Sequence, residues 1–126
     1  MLVKESIYRT IWYDDNKRIK IIDQTYLPFK FRIRELDSLE AAAEAISYMR
    51  VRGAPLIGVT AAFGIYLATI ENSSIEYIKK AGKKLIATRP TAINLKWAVD
   101  KVVNKLIHSD EKNRKSVALV FASNLA

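Results

Sequence analysis

The chain has 126 residues, of which 50% are hydrophobic, 27% charged and 10% aromatic, which excludes a disordered or collagen-like protein and suits one globular domain. It contains no cysteine, so disulfides, thiolate nucleophiles and thiolate metal sites are excluded. Its formal net charge of +8 is compatible with nucleic acid, a phosphorylated substrate or an acidic partner, and equally with dispersed surface lysine.

The N-terminal part of the chain has the two-residue period of β-strands. Ile11 and Tyr13 precede a turn-forming Asp-Asp-Asn-Lys cluster, after which Ile19 and Ile21 resume the alternation, so we expect a hairpin. Apolar and basic side chains alternate over 29–34 and predict a further strand.

The basic side of that strand carries Lys30, Arg32 and Arg34. A surface for single-stranded nucleic acid would need aromatic residues on the same side to stack against bases. Phe29 and Phe31 alternate to the opposite side. The pattern therefore favours a solvated strand face, and no nucleic-acid partner is expected.

Neither a secretory signal nor a membrane span is expected. Residues 1–10 include charged side chains and lack an apolar core, so a cytoplasmic location is the default. The uncharged stretch 53–70 reaches the minimum length of a membrane helix, roughly 18 residues. Because Pro55 and three glycines interrupt it, we interpret it as a buried helix without a membrane partner.

Helical periodicity begins after Leu36 and predicts about five helices. Asp37 and Glu40 have the spacing of a capping box before the first helix. The second helix is expected from near Pro55 to about Ile70. Its small residues, Gly58, Ala61, Ala62 and Gly64, are expected to permit close helix packing.

The last three helices have their own start signals. Ser73 and Glu76 repeat the capping spacing, a fourth helix is expected from Pro90, and a fifth from about Asp110. The fifth runs to Ala126 without a capping residue, so we expect the protein to continue beyond it. The apolar stripes predicted for helices one, three, four and five are Leu39, Ala42, Ala43, Ile46 and Met49; Ile75, Ile78, Leu85 and Ile86; Leu95, Ala98, Val102 and Leu106; and Val117, Val120, Phe121 and Leu125.

The sequence thus predicts an α+β fold in a single domain over 1–126, with a small antiparallel N-terminal sheet followed by a bundle of about five helices. The lone His108 falls on a polar helical face with Asn94, Lys101 and Lys105. No second histidine is present to share a metal ion, so no metal site is expected.

Two arginines stand just ahead of helix-starting prolines. Arg52 and Gly53 come shortly before Pro55, and Arg89 directly precedes Pro90. The free amides of a helix start beside a guanidinium suit an anion such as phosphate. The alternative is that proline and glycine only punctuate the helices, with an arginine nearby by chance. Composition and spacing leave both interpretations open.

Three stretches of the sequence form recognisable motifs: DQTYLP at 23–28, VRGAPLIGVTAAFG at 51–64 and TRPTAINLKWA at 88–98. Together they resemble the methylthioribose-1-phosphate isomerases, and the resemblance covers essentially the whole chain. The wider superfamily includes the ribose-1,5-bisphosphate isomerases and the regulatory subunits of the translation-initiation guanine-nucleotide exchange factor.

The resemblance implies an aldose-ketose isomerase of methionine salvage that converts 5-methylthioribose 1-phosphate to 5-methylthioribulose 1-phosphate. It assigns substrate binding to Arg52, Gly53, Ala54 and Arg89, and it implies no cofactor. The catalytic cysteine and aspartate of this family lie in a second, Rossmann-like domain. That domain is absent from this chain, which contains no cysteine.

The expectation is therefore the N-terminal, substrate-binding domain of a two-domain isomerase, inactive alone and without catalytic residues of its own. Its expected partners are the sugar phosphate and the missing C-terminal domain, and the complete enzyme is expected to be a homodimer. One alternative is a non-catalytic assembly module like the translation-factor relatives, and another is a fragment of a ribose-1,5-bisphosphate isomerase. Retention of Arg52 and Arg89 within complete motifs favours a substrate site.

Overall fold

The computed structural model of the chain describes residues 11–13, 19–22, 33–48 and 54–125. Within these residues three short strands precede five α-helices, which confirms the predicted α+β arrangement. The strands are β1 (Ile11–Tyr13), β2 (Ile19–Ile22) and β3 (Ile33–Leu36), and the helices are α1 (Leu39–Ser47), α2 (Ala54–Glu71), α3 (Ile75–Thr88), α4 (Ile93–Ile107) and α5 (Arg114–Leu125), with a short 3-10 helix (Glu111–Asn113) before α5.

The strands form one antiparallel sheet in the order β1-β2-β3. β1 pairs with β2 as the predicted hairpin, with Ile11 opposite Ile21. Ile19 pairs with Leu36 on the other side, and the side chains of Ile19, Ile21 and Leu36 are all buried in the core. The third strand, predicted over 29–34, is described only at Ile33–Leu36, so most of the expected basic face lies outside the described residues.

Both predicted capping boxes are wrong by one residue. Ser38, and not Asp37, caps α1, and its hydroxyl accepts a hydrogen bond of 3.1 Å from the amide three residues later. Ser74, and not Ser73, caps α3 through the equivalent bond of 3.2 Å. In each pair the second residue has the extended backbone that a cap requires, so its oxygen reaches the free amides of the first turn.

Helix α2 is the centre of the core. It packs against the other four helices and β1, and every residue from Ile57 to Thr69 is buried, as expected for a helix that is apolar on all sides. The buried hydroxyls of Thr60 and Thr69 donate to backbone carbonyls within the same helix. The interpretation of this stretch as a buried helix is confirmed, and none of the described helices is long and apolar enough to span a bilayer.

Glycine lets the neighbours of α2 approach closely. A Cβ atom on Gly64 would lie 3.1 Å from the Cβ of Ala42 and 3.2 Å from both terminal methyl groups of Leu85. A Cβ atom on Gly58 would lie 3.1 Å from the backbone oxygen of Asn94. The expectation that these small residues serve helix packing is confirmed.

The predicted apolar stripes are confirmed for α1 and α4, and three of the four stripe residues of α5, Val117, Phe121 and Leu125, are partly buried against the core. The fully buried residues of α5 are Ala118 and Ala122, whereas Val120 is 58% exposed. The reason is that α5 lies close against α2, so its small residues occupy the contact. In α3, Ile75 and Ile86 are half-buried, and Met49 of the α1 stripe lies outside the described residues. The predicted core residues that are buried are Leu39, Ala42, Ala43, Ile46, Ile78, Leu85, Leu95, Ala98, Val102 and Leu106.

Helix α5 begins four residues later than the predicted Asp110 and is anchored at its first residue. The Nε atom of Arg114 donates to the carbonyl of Leu106 at 3.1 Å, and one terminal guanidinium nitrogen donates to the carbonyl of Ser73 at 2.9 Å. One side chain therefore connects the start of α5 to the end of α4 and to the α2–α3 connection.

A carboxylate at the end of α2 joins two helix starts. Glu71 accepts a hydrogen bond from the Leu39 amide at 2.9 Å and another from the Tyr77 hydroxyl at 2.7 Å. The hydrogen bond to Glu71, with smaller effects of burial and of the Glu71 charge, raises the pKa of Tyr77 above its ordinary value of 10.0. The folded chain therefore holds the Tyr77 proton more tightly than the unfolded chain does.

We expect the stabilisation from this hydrogen bond to be complete below pH 10.0 and to disappear as the pH rises through the raised pKa. The free energy of unfolding of the wild-type chain, measured by urea denaturation, should therefore fall more steeply above pH 10.0 than that of a Tyr77→Phe variant. The two chains differ only at position 77, so the difference between their pH profiles isolates the contribution of Tyr77. Parallel pH profiles for the two chains would contradict the assigned role.

Candidate functional site

Contacts between the helices and the short connections between them together define the directions in which the helices run. Gly64 of α2 lies against Ala42 of α1 and Leu85 of α3, and Gly82 of α3 lies against Val99 of α4. Only residues 72–74 separate α2 from α3, and residues 89–92 separate α3 from α4. Such short connections make consecutive helices antiparallel. Helices α2 and α4 therefore run in the same direction.

Helix α5 returns along α4, since Arg114 at its start bonds to Leu106 near the end of α4. The Leu39 amide at the start of α1 bonds to Glu71 at the end of α2, so α1 runs antiparallel to α2. The ends of α1, α3 and α5 and the starts of α2 and α4 thus lie at one end of the bundle, which we call the site end. The helix-terminal residues there are Tyr48, Ala54, Arg89, Ile93 and Leu125.

The starts of helices α2 and α4 are also in direct contact. The close approach of Gly58 to the backbone oxygen of Asn94 places the second turn of α2 against the first turn of α4. Each helix start leaves backbone amides without intrahelical acceptors and carries partial positive charge. The site end therefore offers two adjacent groups of free amide donors.

Two of the four residues predicted to bind substrate lie within the described part of the chain. Ala54 is the first residue of α2, and Arg89 is the C-terminal cap of α3, so both lie at the site end. Arg52 and Gly53 lie outside the described residues. The tertiary structure thus brings Ala54 and Arg89, 35 positions apart in the numbering, to the same end of the bundle.

Arg89 has a constrained backbone and an available side chain. Its amide donates to the carbonyl of Ile86 at 3.2 Å, and its carbonyl accepts from the Ala92 amide at 2.9 Å. The residue is half-buried, and within the described part of the chain its guanidinium has no hydrogen-bond or ion-pair partner. A positioned guanidinium of this kind is suited to an anion.

Pro90 does not begin α4, contrary to the prediction. Pro90 and Thr91 form a turn, and α4 begins at Ile93 with Ala92 as its cap. The short turn is needed to reverse the chain between two antiparallel helices. Because the Ala92 side chain has no acceptor atom, the first amides of α4 receive no side-chain cap. Pro55, by contrast, lies in the first turn of α2 as predicted.

A groove of about 450 Å³ between α1 and α3 reaches the site end. Tyr48, at the end of α1, and Thr88, directly before Arg89, line it there. Farther from the site end, an ion pair between Glu40 of α1 and Lys84 of α3 spans the groove. This groove is a concave surface beside the candidate arginine, and neither Tyr48 nor Thr88 is among the predicted site residues.

Sequence reasoning also missed two exposed apolar residues on α4. Ile93 is 81% and Trp97 50% exposed, one helical turn apart. The Nζ atom of Lys101 lies 5.9 Å from the centroid of the Trp97 ring. A helical projection of α4 could have found them, because both residues lie opposite the buried side that includes Leu95 and Val102.

His108 is exposed at the end of α4, as predicted, with Nδ1 2.9 Å from the carbonyl oxygen of Asn104. Among the described residues no group of histidine, aspartate and glutamate side chains could hold a metal ion. Among the described residues, the site end offers the Arg89 guanidinium and backbone amide donors beside an apolar helix face.

Comparison with known proteins identifies relatives across the whole chain. The chain is 49% identical over 127 aligned residues to the methylthioribose-1-phosphate isomerase of Escherichia coli O45:K1, covering 100% of this chain and 34% of the relative. It is 54% identical over 110 residues to the enzyme of the same name from Methylocella silvestris, covering 86% and 30%. The chain thus spans about a third of the length of these curated relatives.

Two solved structures share the fold. The translation initiation factor eIF-2B subunit delta from A. fulgidus matches with a TM-score of 0.85 and 37% identity, over 93% of this chain and 36% of that one. The 5-methylthioribose 1-phosphate isomerase from Pyrococcus horikoshii OT3 matches with a TM-score of 0.82 and 34% identity, over 94% and 35%.

The family-level match includes both arginine-proline segments. A sequence model of the Initiation factor 2 subunit family matches residues 50–123, which extend from just before Arg52 into α5. These residues contain the starts of α2 and α4 and the end of α3, so the match covers the helices that form the site end. The chain therefore belongs to the Initiation factor 2 subunit family.

Proposed function

We propose that this chain is the N-terminal, substrate-binding third of a methylthioribose-1-phosphate isomerase. The observation that carries the proposal is the set of relatives with that name, which are 42% to 54% identical to the chain. The position of Ala54 and Arg89 at one end of the bundle supports it. The same proposal implies that the complete enzyme is cytoplasmic, acts in methionine salvage and is a homodimer.

The phosphate group of the sugar would be bound at the site end. Arg89 would contribute a guanidinium that has no partner within the described residues, and Arg52 would contribute a second one. The amides of Gly53 and Ala54 would bind further phosphate oxygens at the start of α2. Each charge-assisted hydrogen bond is expected to contribute about 1.5 to 3 kcal/mol.

The chemical step would depend on residues outside this chain. Aldose-to-ketose isomerisation moves hydrogen between the first two sugar carbons and needs a group that can exchange protons with them. By the family resemblance, a cysteine and an aspartate in a Rossmann-like domain do this, and the chain contains no cysteine. We therefore propose that the chain holds the sugar phosphate and, alone, converts none of it. The proposal requires neither a metal ion nor a cofactor.

A second candidate is a non-catalytic assembly subunit. The structural match to eIF-2B subunit delta, with a TM-score of 0.85, is as good as the match to the isomerase, with 0.82. Fold similarity therefore does not separate the two functions. Identity to the two solved structures, 37% and 34%, does not separate them either. The curated relatives favour the isomerase, because those named methylthioribose-1-phosphate isomerase are 42% to 54% identical to the chain. A ribose-1,5-bisphosphate isomerase is a third candidate with the same type of site.

A fused protein tests the proposal directly. In this fusion, the chain replaces the matching third of the E. coli relative, to which it is 49% identical. We expect the fused protein to convert 5-methylthioribose 1-phosphate to the ketose, and the isolated chain to leave it unchanged. Product formation can be followed by phosphorus and carbon NMR.

The matched control is a fusion carrying the corresponding segment of the A. fulgidus translation factor, which has the same fold. Equal activity with that segment would show that the fold alone suffices and would remove the support for a specific substrate site in this chain. Conversion of ribose 1,5-bisphosphate but not of the methylthio sugar would favour the third candidate. An inactive but folded fusion would favour the assembly subunit.

A further inference from the structure

Gly58 is the point at which the starts of α2 and α4 meet. A Cβ atom at this position would lie 3.1 Å from the backbone oxygen of Asn94 and 3.6 Å from the Cβ of Ala98. The nearer of these two atoms belongs to the backbone of α4, so it cannot rotate away as a side chain can. The missing side chain of Gly58 therefore sets how closely the two helix starts approach each other.

This contact lies about one helical turn from the proposed phosphate site. Gly58 comes one turn after Ala54, the first residue of α2, which corresponds to about 6 Å along the helix axis. Asn94 is the second residue of α4, where the backbone amides have no intrahelical acceptors. The separation of the helices at Gly58 and Asn94 thus also sets the distance between the two groups of free amides.

The first turn of α4 is also connected to Arg89. The Ala92 amide donates to the Arg89 carbonyl at 2.9 Å, and the Lys96 amide donates to the Ala92 carbonyl at 3.2 Å. Helix α3, which ends next to Arg89, is itself packed against α4 where Gly82 lies against Val99. A displacement of the first turn of α4 would therefore move the Arg89 guanidinium relative to the start of α2.

We propose that Gly58 is a positioning residue that fixes the distance between the Arg89 guanidinium and the amides at the start of α2. This proposal rests on the proposed function, because it requires that both groups bind one phosphate. A guanidinium and backbone amides bind the same phosphate well only while their separation matches that of the phosphate oxygens. Gly58 acts through the first turn of α4 and not by contact with the sugar phosphate.

Gly64 provides a matched control in the same helix. A Cβ atom there would lie 3.1 Å from the Cβ of Ala42 and 3.2 Å from both terminal methyl groups of Leu85, so alanine would be crowded at either glycine. Gly64 lies about 15 Å from Ala54 along the axis of α2, so its contacts are remote from the site end. Replacement by alanine thus disturbs the packing of α2 at both positions, but the helix starts only at Gly58.

The test compares Gly58→Ala and Gly64→Ala in the fused protein. Dissociation constants for 5-methylthioribose 1-phosphate and for inorganic phosphate are measured by isothermal titration, and the urea midpoint reports stability. An alanine at position 58 requires a shift of a few tenths of an ångström. A misplacement of about 1 Å can cost on the order of a hundredfold in catalysis, so we expect Gly58→Ala to weaken both affinities by about threefold to tenfold. Gly64→Ala should leave both affinities unchanged.

A double substitution identifies the group through which Gly58 acts. Because Gly58 positions Arg89, its replacement should matter less once the guanidinium has been removed. In the Arg89→Ala background we therefore expect Gly58→Ala to change the affinity by less than about twofold. Equal effects of Gly58→Ala in the two backgrounds would overturn the proposal. Affinity losses in both glycine variants that follow their losses of stability would also overturn it.

Ala98→Gly decides the question if Gly58→Ala does not fold. It removes the methyl group on the α4 side of the same contact and so loosens the contact without a clash, whereas its control, Ala42→Gly, removes the methyl group that faces Gly64. We expect only Ala98→Gly to weaken phosphate binding, and equal affinities of the two variants would overturn the proposal. Unchanged affinity in Arg89→Ala would contradict the proposed function and the positioning role together. Weaker binding by Arg89→Ala but not by Gly58→Ala would contradict the positioning role alone.

Discussion

Replacement of Arg89 by alanine is expected to weaken binding of 5-methylthioribose 1-phosphate by the fused protein about tenfold to a hundredfold. The guanidinium has no partner within the described residues, so its removal leaves no acceptor among those residues unpaired. Its loss removes charge-assisted hydrogen bonds, each of which contributes about 1.5 to 3 kcal/mol. The dissociation constant can be measured by isothermal titration with the substrate or with a non-reacting analogue.

Two further variants make the result specific. Arg89→Lys keeps the charge but loses the planar pair of donors, so its affinity should fall between those of the wild type and Arg89→Ala. Lys79→Ala removes an exposed cation from α3 and should change the affinity little. If Arg89→Ala and Lys79→Ala bind equally well, only the net charge of the chain attracts the substrate, and the assigned site is wrong. Arg52→Ala is expected to behave like Arg89→Ala.

Replacement of Phe63 by alanine is expected to lower the free energy of unfolding by about 3 to 5 kcal/mol. Phe63 is 1% exposed, and it is among the largest fully buried side chains of the described core. It lies near the middle of α2, which is surrounded by the other helices, so the neighbouring side chains cannot collapse into the space. Small domains are stable by roughly 5 to 15 kcal/mol, so the loss is a large share of the total.

Urea or thermal denaturation of the isolated chain measures this effect. Val120→Ala provides the matched control, since that side chain is 58% exposed and its truncation leaves no buried cavity. We expect the control to change stability by less than about 0.5 kcal/mol. Equal losses for the two variants would show that Phe63 is not in the core, and would contradict the central position of α2.

Much of the fold could be predicted because most elements carry their own periodic signal. Leu95, Ala98, Val102 and Leu106 recur at helical spacing, and all four are buried in α4. The capping residues were less predictable, because Asp37 and Ser38 are adjacent and both have oxygens able to bond to a free amide. Only the backbone conformation at Ser38 decides which of them does so.

The site was predictable in its residue types but not in its arrangement. An arginine near a helix start suits an anion wherever it occurs, so Arg52 and Arg89 could be singled out from the sequence. The exact start of α4 could not be predicted, since Pro90 is compatible with either a first helical turn or a reversal of the chain. The antiparallel packing of α3 and α4 requires the reversal.

By itself, the sequence determined the order of strands and helices, the buried central helix and the residue types that suit a phosphate. Periodicity sufficed for the strands and the amphipathic helices, because it reports which side of an element is apolar, whereas the central helix followed from an uncharged stretch. Only the tertiary structure decided which residues of α5 are fully buried, since this depends on how closely α2 approaches Ala118 and Ala122. Likewise, Ala54 and Arg89 lie at one end of the bundle because short connections make consecutive helices antiparallel. The contact that joins the starts of α2 and α4, between Gly58 and Asn94, is between residues far apart in the chain.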